Sequence, residues 1–201
     1  MPRVSKAEAE KNRAVIEQVS SRLFREQGFH GISVADLMGA AGLTHGGFYG
    51  HFESKDALAA IACARAFEES EARWRKRVDD APDKAGALTA LIDGYLSSRN
   101  RNAAGTGCPV AALANDVARE SNDKPVRAAF HEGLENLLDI LASIQPGDDA
   151  AANRADAVAQ MATLAGALVL SRATQGTPLS NEMLAAAKEY LLAHVGEESA
   201  R

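Results

Sequence analysis

The chain has 201 residues, 46% of them hydrophobic and 24% charged, with a formal net charge of −5. That is one large domain or two small ones with enough apolar material for a core, and it is not the composition of a disordered chain. Two cysteines make neither a disulfide framework nor a structural zinc site, and no apolar run approaches the ~18 residues of a membrane span.

The opening Met1-Pro-Arg-Val-Ser-Lys6 lacks the apolar stretch of a secretory signal, so a soluble, reducing, cytoplasmic setting is expected. Abundant alanine with only 5% aromatic residues favours packed helices over strands. Residues 1–60 carry seven Lys/Arg and seven Asp/Glu, so the whole net charge of −5 falls on the rest. Three of the five histidines, His30, His45 and His51, also lie in this first part.

Ser5-Lys-Ala-Glu8 has the pattern of a capping box opening a first helix, with Val15, Ile16, Val19, Leu23 and Phe24 on one face and Gly28 as its stop. Ser33 caps a short helix predicted over 34–41, Thr44 a second over 45–52, and Ser54 a longer one over 55–78 that ends before Pro82. Five more helices are predicted, over 84–101, 109–120, 125–144, 149–172 and 181–195. The segments between them are rich in turn residues, and the stretch before Cys108 reads as a flexible, glycine-containing approach. The expected fold is all-α, about nine helices without a strand.

The informative segment is Gly31–Lys55: helix, a Gly42-Leu43-Thr44 turn, helix. Two short helices joined in this way make a helix-turn-helix, whose second helix can enter a DNA major groove. Ile32, Leu37, Met38, Leu43, Phe48 and Phe52 are apolar and would hold the pair together, leaving His45, Gly46, Gly47, Tyr49 and Gly50 outward. A short helix with several glycines is poor on propensity, and small residues there suit a backbone that must approach another molecule closely.

The run Gly31-Ile-Ser-Val-Ala-Asp-Leu-Met-Gly-Ala-Ala-Gly42, then Leu43-Thr-His-Gly-Gly-Phe-Tyr-Gly-His-Phe52, then Ser54-Lys-Asp-Ala-Leu58 resembles the tetracycline-repressor-like transcriptional regulators. Tyr49-x-His51-Phe52 followed by Ser54-Lys55 is the most telling part, within a resemblance that covers about residues 10–58. It implies a helix-turn-helix DNA-binding domain over 1–57 and an effector-binding and dimerisation domain over 58–201. It puts Ser33, Thr44, Tyr49, His51 and Lys55 at phosphate-contacting positions and His45, Gly46 and Gly47 at the base-reading face. Bulky or polar residues are usual in the family where this chain has Gly46, Gly47 and Gly50, which leaves few side chains to read bases. Three of the residues also admit a plainer reading, Tyr49 as a core aromatic, His51 as a ring packed between aromatics and Lys55 as a solvated charge just inside a helix start.

By the same resemblance, the C-terminal helices form a homodimer and enclose a small-molecule effector site. Val158, Met161, Leu164, Ala165 and Leu168 form an apolar stripe, repeated by Leu184, Ala187, Leu191 and Leu192, and this suits either a dimer interface or burial within one chain. Trp74, Tyr95, Leu113, Phe130 and Met161 are candidate pocket residues, each with an alternative role in the core. Few charges fall within the apolar faces, which favours an apolar or neutral effector. Cys108 precedes Pro109 at a helix start, where a thiolate is favoured, and Gly107-Cys108-Pro109 resembles a subgroup of the family that includes responders to oxidants or electrophiles. The alternative is a small residue wedged into the core; Cys63 is expected to be inert packing.

The implied function is a ligand-responsive repressor binding a pseudo-palindromic DNA operator as a dimer and released by a small molecule, electrophiles included. No catalytic residue, cofactor or metal site is predicted: the sequence has no Glu-x-x-His pair, phosphate loop or triad. A non-specific architectural DNA binder is disfavoured by the net acidity and the lack of basic clusters.

Overall fold

The computed structural model describes residues 5–197, with side chains through Ala193. Met1–Val4, on which the reading of the chain's start rests, lie outside the described residues.

Nine α-helices and two short 3-10 turns make up the fold, and no strand occurs among the described residues. Helix α1 (Lys6–Gln27) starts where Glu8 N–H donates to the Ser5 hydroxyl at 3.2 Å and stops at Gly28, whose φ of 75° few other residues adopt. Helix α2 (Val34–Ala40) carries a full capping box between Ser33 and Asp36. A 3-10 turn follows over His45–Gly50, then the long helix α3 (Lys55–Asp79).

The remaining helices are α4 (Lys84–Tyr95), α5 (Ser98–Asn102), α6 (Pro109–Arg119), α7 (Pro125–Ser143), α8 (Ala150–Ala173) and α9 (Pro178–Glu197). The predicted helix over 84–101 is in fact two. Ser97 leaves the helical path at ψ 150° and its hydroxyl accepts from Asn100 N–H, restarting the chain as α5. Helix α9 starts three residues earlier than predicted, at Pro178.

The core runs along α3, which packs against α1 on one side and α7 on the other. Phe67 of α3 meets Phe130 of α7 edge-to-face, ring centroids 5.3 Å apart. Buried Leu137 and Leu141 of α7 and Leu164 and Leu168 of α8 extend the same core. Helices α8 and α9 are tied by two buried hydroxyls: Ser171 donates to the Ser180 carbonyl at 2.7 Å, and Ser180 donates to the Ser171 carbonyl at 2.6 Å. The expected boundary at 57/58 falls within the first turn of α3, so a continuous helix joins the two parts of the chain.

Candidate nucleic-acid interface and effector cavity

The first site is built on a rigid base. Ile32, Leu37, Met38, Phe48 and Phe52 are all buried, and Leu43 is packed against them. Arg13 of α1 donates to the His51 carbonyl at 2.7 Å and lies 4.7 Å over the Phe52 ring. The Lys55 ammonium donates to the Ile32 carbonyl at 2.6 Å. These two cations stitch the turn to its flanking helices.

The predicted helix over 45–52 is shorter and tighter than expected, a 3-10 turn over His45–Gly50. Three glycines in six residues explain that: each weakens the α-helix by about 1 kcal/mol relative to alanine. Thr44 sits at the N-cap position but its side chain makes no capping hydrogen bond, contrary to the sequence reading. Its hydroxyl is exposed together with His45 and Gly46. Tyr49 is 70% exposed, which overturns a core role for it. His51 is half-buried. The Ser33 hydroxyl is engaged with Asp36, and the Asp36 carboxyl is held below its usual range by that bond first.

The glycines are not demanded by the fold. A Cβ built on Gly46 or Gly50 meets nothing within 4 Å, and one on Gly47 makes only ordinary contact with Met38 at 3.7 Å. The space in front of the turn is open.

The second site is a cavity of about 500 Å³ between the end of α3, the end of α4 and the segment from α5 to Cys108. Trp74, Tyr95 and Cys108 line it, as candidates from sequence. Trp74 and Tyr95 meet edge-to-face at 6.1 Å. The other three candidates do not line it. Leu113 and Met161 are buried in the core, and Phe130 packs on Phe67.

Arg73, Arg77 and Arg99 also line the cavity, charges not placed there by the sequence reading that favoured an apolar or neutral effector. Arg73 and Arg77 stand one helical turn apart near the end of α3. In the fold the end of α4 and the segment from α5 to Cys108 come to lie beside these two residues, with Arg73 itself still exposed.

Cys108 occupies the N-cap of α6 with Pro109 at N1, as predicted, but it is buried. Burial raises its thiol pKa, outweighing the Tyr95 hydroxyl, the backbone N–H groups of Ala111 and Val110 and the Arg172 charge, which all lower it. The helix N-terminus therefore does not yield a thiolate here. The Tyr95 hydroxyl lies near this thiol but forms no hydrogen bond of good geometry with a described residue. Cys63 is fully enclosed and its thiol is pushed up to about 12 by burial.

The approach to Cys108 is not loose. It folds as a 3-10 turn over Ala104–Thr106 docked on α1, where a Cβ on Gly105 would stand 2.7 Å from the Arg22 Cγ. Glycine is needed for that close approach. Buried Arg25 of α1 donates to the Gly107 carbonyl at 3.1 Å, so one wall of the cavity is fastened to the first helix.

The predicted apolar stripe on α8 divides. Met161, Leu164 and Leu168 face the core of their own chain, and so does Leu191 of α9. Val158 at 47% exposure, Leu170 at 50% and Leu179 at 41% point outward. No helix among the described residues is long and apolar enough to cross a membrane.

Residues 17–61 match the family model described as bacterial regulatory proteins, tetR family. An uncharacterized HTH-type transcriptional regulator of Mycobacterium tuberculosis is 29% identical over 164 residues, 78% of this chain and 82% of the relative. The HTH-type transcriptional repressor DhaR of Mycobacterium sp. (strain GP1) is 30% identical over 128 residues, 57% of this chain and 63% of the relative. Among solved structures, a TetR transcriptional regulator from Chloroflexus aurantiacus superposes with a TM-score of 0.77 at 24% identity, covering 95% of this chain and 97% of its own. The reduced form of Escherichia coli NemR superposes with a TM-score of 0.75 at 20% identity, covering 92% of this chain and 95% of its own. Residues 17–61 thus carry the helix-turn-helix segment described for bacterial regulatory proteins of the tetR family, on a fold shared with solved regulators of that family.

Proposed function

We propose that the protein is a ligand-responsive repressor that binds a pseudo-palindromic operator as a homodimer and leaves it when a small molecule enters the cavity beside Trp74. The open turn His45–Gly50 carries this reading: its glycines meet no neighbour that requires them, while the residues beneath are fully packed. A groove-facing backbone explains glycines that the fold does not. In this reading His45 contacts base edges, and Thr44, Tyr49, His51 and Lys55 contact phosphates, with Ser33 contributing at the start of α2. Repression follows the relatives named as repressors.

Residues 1–57 act as the reading head and 58–201 as the sensor and dimerisation part. The second copy covers the outward apolar residues of α8 and α9, which sets two turns about one DNA helical repeat apart. Such work takes place in the cytoplasm. Electrophiles are effectors in this reading only if they enter the cavity to reach the buried Cys108, since its thiol is not activated. Gel retardation of the DNA upstream of the protein's own gene, against random DNA of equal length, tests the function. Specific retardation at a symmetric site is expected; equal retardation of both DNAs, or of neither, would count against it.

A further inference from the structure

Three guanidinium groups converge on the cavity, and no carboxylate lines it. Among the described residues, Arg73, Arg77 and Arg99 make no salt bridge and no side-chain hydrogen bond, although nearby carboxylates are available to the helices. Glu69, one turn before Arg73, is held by Arg25 at 2.8 Å and Arg65 at 3.4 Å. Asp93, beside Gly94 of the cavity wall, pairs with Lys188 at 2.8 Å. These acids are paired with other cations, and three guanidinium groups but no carboxylate stand in the cavity lining.

A second observation points the same way. Tyr95 is 4% exposed and lines the cavity, and its hydroxyl has the Cys108 thiol beside it but no nitrogen or oxygen partner of good geometry among the described residues. A buried hydroxyl without an oxygen or nitrogen partner is costly, and a ligand oxygen would offset that cost. Burial first, then the charges of Arg25 and Arg77, disfavour the protonated Arg73 guanidinium, with Glu69 acting in the opposite sense, so an anion beside it would add to what Glu69 supplies. Part of the wall is aromatic, formed by Trp74 on Tyr95.

We propose that this cavity binds a small organic anion whose carboxylate or phosphoryl oxygens are held by Arg73, Arg77 and Arg99 and whose planar or apolar body lies against Trp74. The proposal rests on the cavity being the effector site and names the ligand class. Planar guanidinium forks suit both oxygen groups, and a volume of about 500 Å³ admits a compact metabolite.

Trp74 is the only tryptophan of the chain, so its emission reports occupancy directly. The full-length protein is titrated at constant ionic strength with benzoate, phenyl phosphate, inorganic phosphate and neutral benzamide. A saturable emission change with benzoate or phenyl phosphate, at least tenfold weaker with benzamide, is expected. Which of the two anions binds tighter separates the carboxylate from the phosphoryl source, and inorganic phosphate shows whether the ring is needed. Arg73→Gln and Arg77→Gln should each weaken binding about tenfold, while Arg73→Lys and Arg77→Lys keep part of it. Equal responses to benzoate and benzamide, no saturable response to either organic anion, or unchanged affinity in the Arg73→Gln/Arg77→Gln double variant overturns the proposal. Gel retardation is run in parallel: an anion that saturates the Trp74 signal yet leaves specific DNA bound overturns the effector reading and leaves the anion site standing.

Discussion

The Arg25 guanidinium of α1 lies 2.8 Å from the Glu69 carboxylate of α3, and the same group donates to the Gly107 carbonyl at 3.1 Å and to the Ser21 carbonyl at 3.0 Å. One buried cation thus joins α1, which supports the turn His45–Gly50, to the long helix and the wall of the cavity. A small molecule that shifts Gly107 or the end of α3 must pull on α1 through this group.

Arg25→Ala should therefore do two things. Removing one partner of a fully buried pair costs ~3–5 kcal/mol; here Glu69 is partly exposed and keeps Arg65, so about 2–3 kcal/mol is expected. Urea unfolding measures that loss. Coupling is reciprocal, so operator should weaken effector binding in the parent protein and do so less in Arg25→Lys, which keeps the charge but loses the fork to Gly107. An unchanged coupling in Arg25→Lys, read by calorimetry with and without operator, would assign transmission to α3 alone.

At the DNA-facing turn, Gly46→Ala and Gly50→Ala should leave the free protein as stable as before or up to about 1 kcal/mol more stable, because the added methyl meets no neighbour and glycine is a poor helix residue. Operator affinity should fall at least tenfold for Gly46→Ala if the backbone lies against a base edge. Tyr49→Ala should likewise lower affinity without moving the melting temperature, since the ring is 70% exposed. Lys55→Ala should weaken binding to all DNA, reduce the salt slope by about 1 and also lower stability, because Lys55 holds the Ile32 carbonyl. Retained affinity in Gly46→Ala would remove the close-approach role.

The fold and the helix-turn-helix segment were largely legible in the sequence, and the reasons are local. Ser5, Ser33, Ser54 and Asp83 each cap a helix by a hydrogen bond to a residue three positions on, and Gly28 ends one by its backbone conformation. Such signals lie within a few residues. The Ser97 break between α4 and α5 used the same signal, a serine hydroxyl accepting from residue 100, but lay hidden within a continuous polar run. The cavity was not legible. Arg73, Arg77 and Arg99 face it only because distant helices meet there, and no spacing along the chain encodes that. For the same reason Cys108 seemed activated by its helix start, whereas burial by tertiary packing decides its pKa.

The dimer face can now be tested at positions that separate assembly from folding. Leu168 and Leu191 are buried within their own chain, so Leu168→Asp should unfold the protein by burying an unpaired charge. Val158 and Leu170 are half-exposed, so Val158→Glu with Leu170→Glu should leave a folded monomer. Light scattering and circular dichroism together distinguish these outcomes. A folded dimer in the Val158→Glu/Leu170→Glu variant would move the interface elsewhere, and monomers should bind operator far more weakly because the two half-sites are no longer read together.

The thiols give a prediction about alkaline pH. Cys63 is held neutral by burial up to about 12 from an ordinary 9.0, and Cys108 is raised as well. In the unfolded chain both lose their protons near 9, so between that value and about 12 the folded state binds more protons than the unfolded one. Stability from this source is complete below pH 9 and is lost as pH rises towards 12, at up to about 1.4 kcal/mol per pH unit for each group. Urea midpoints measured from pH 8 to 10.5 should fall, and Cys63→Ala should flatten the slope even though its stability at pH 7 is lower. The same neutrality makes both thiols slow towards N-ethylmaleimide at pH 7. Cys108 should still label before Cys63, because it lines the cavity while Cys63 is enclosed on all sides. An anion bound at Arg73 and Arg77 should slow that labelling by closing the way in. Mass spectrometry of protein quenched at intervals reads both rates; Cys63 labelling first, or a Cys108 rate indifferent to bound benzoate, would show that reagents reach the thiol by local opening and not through the cavity.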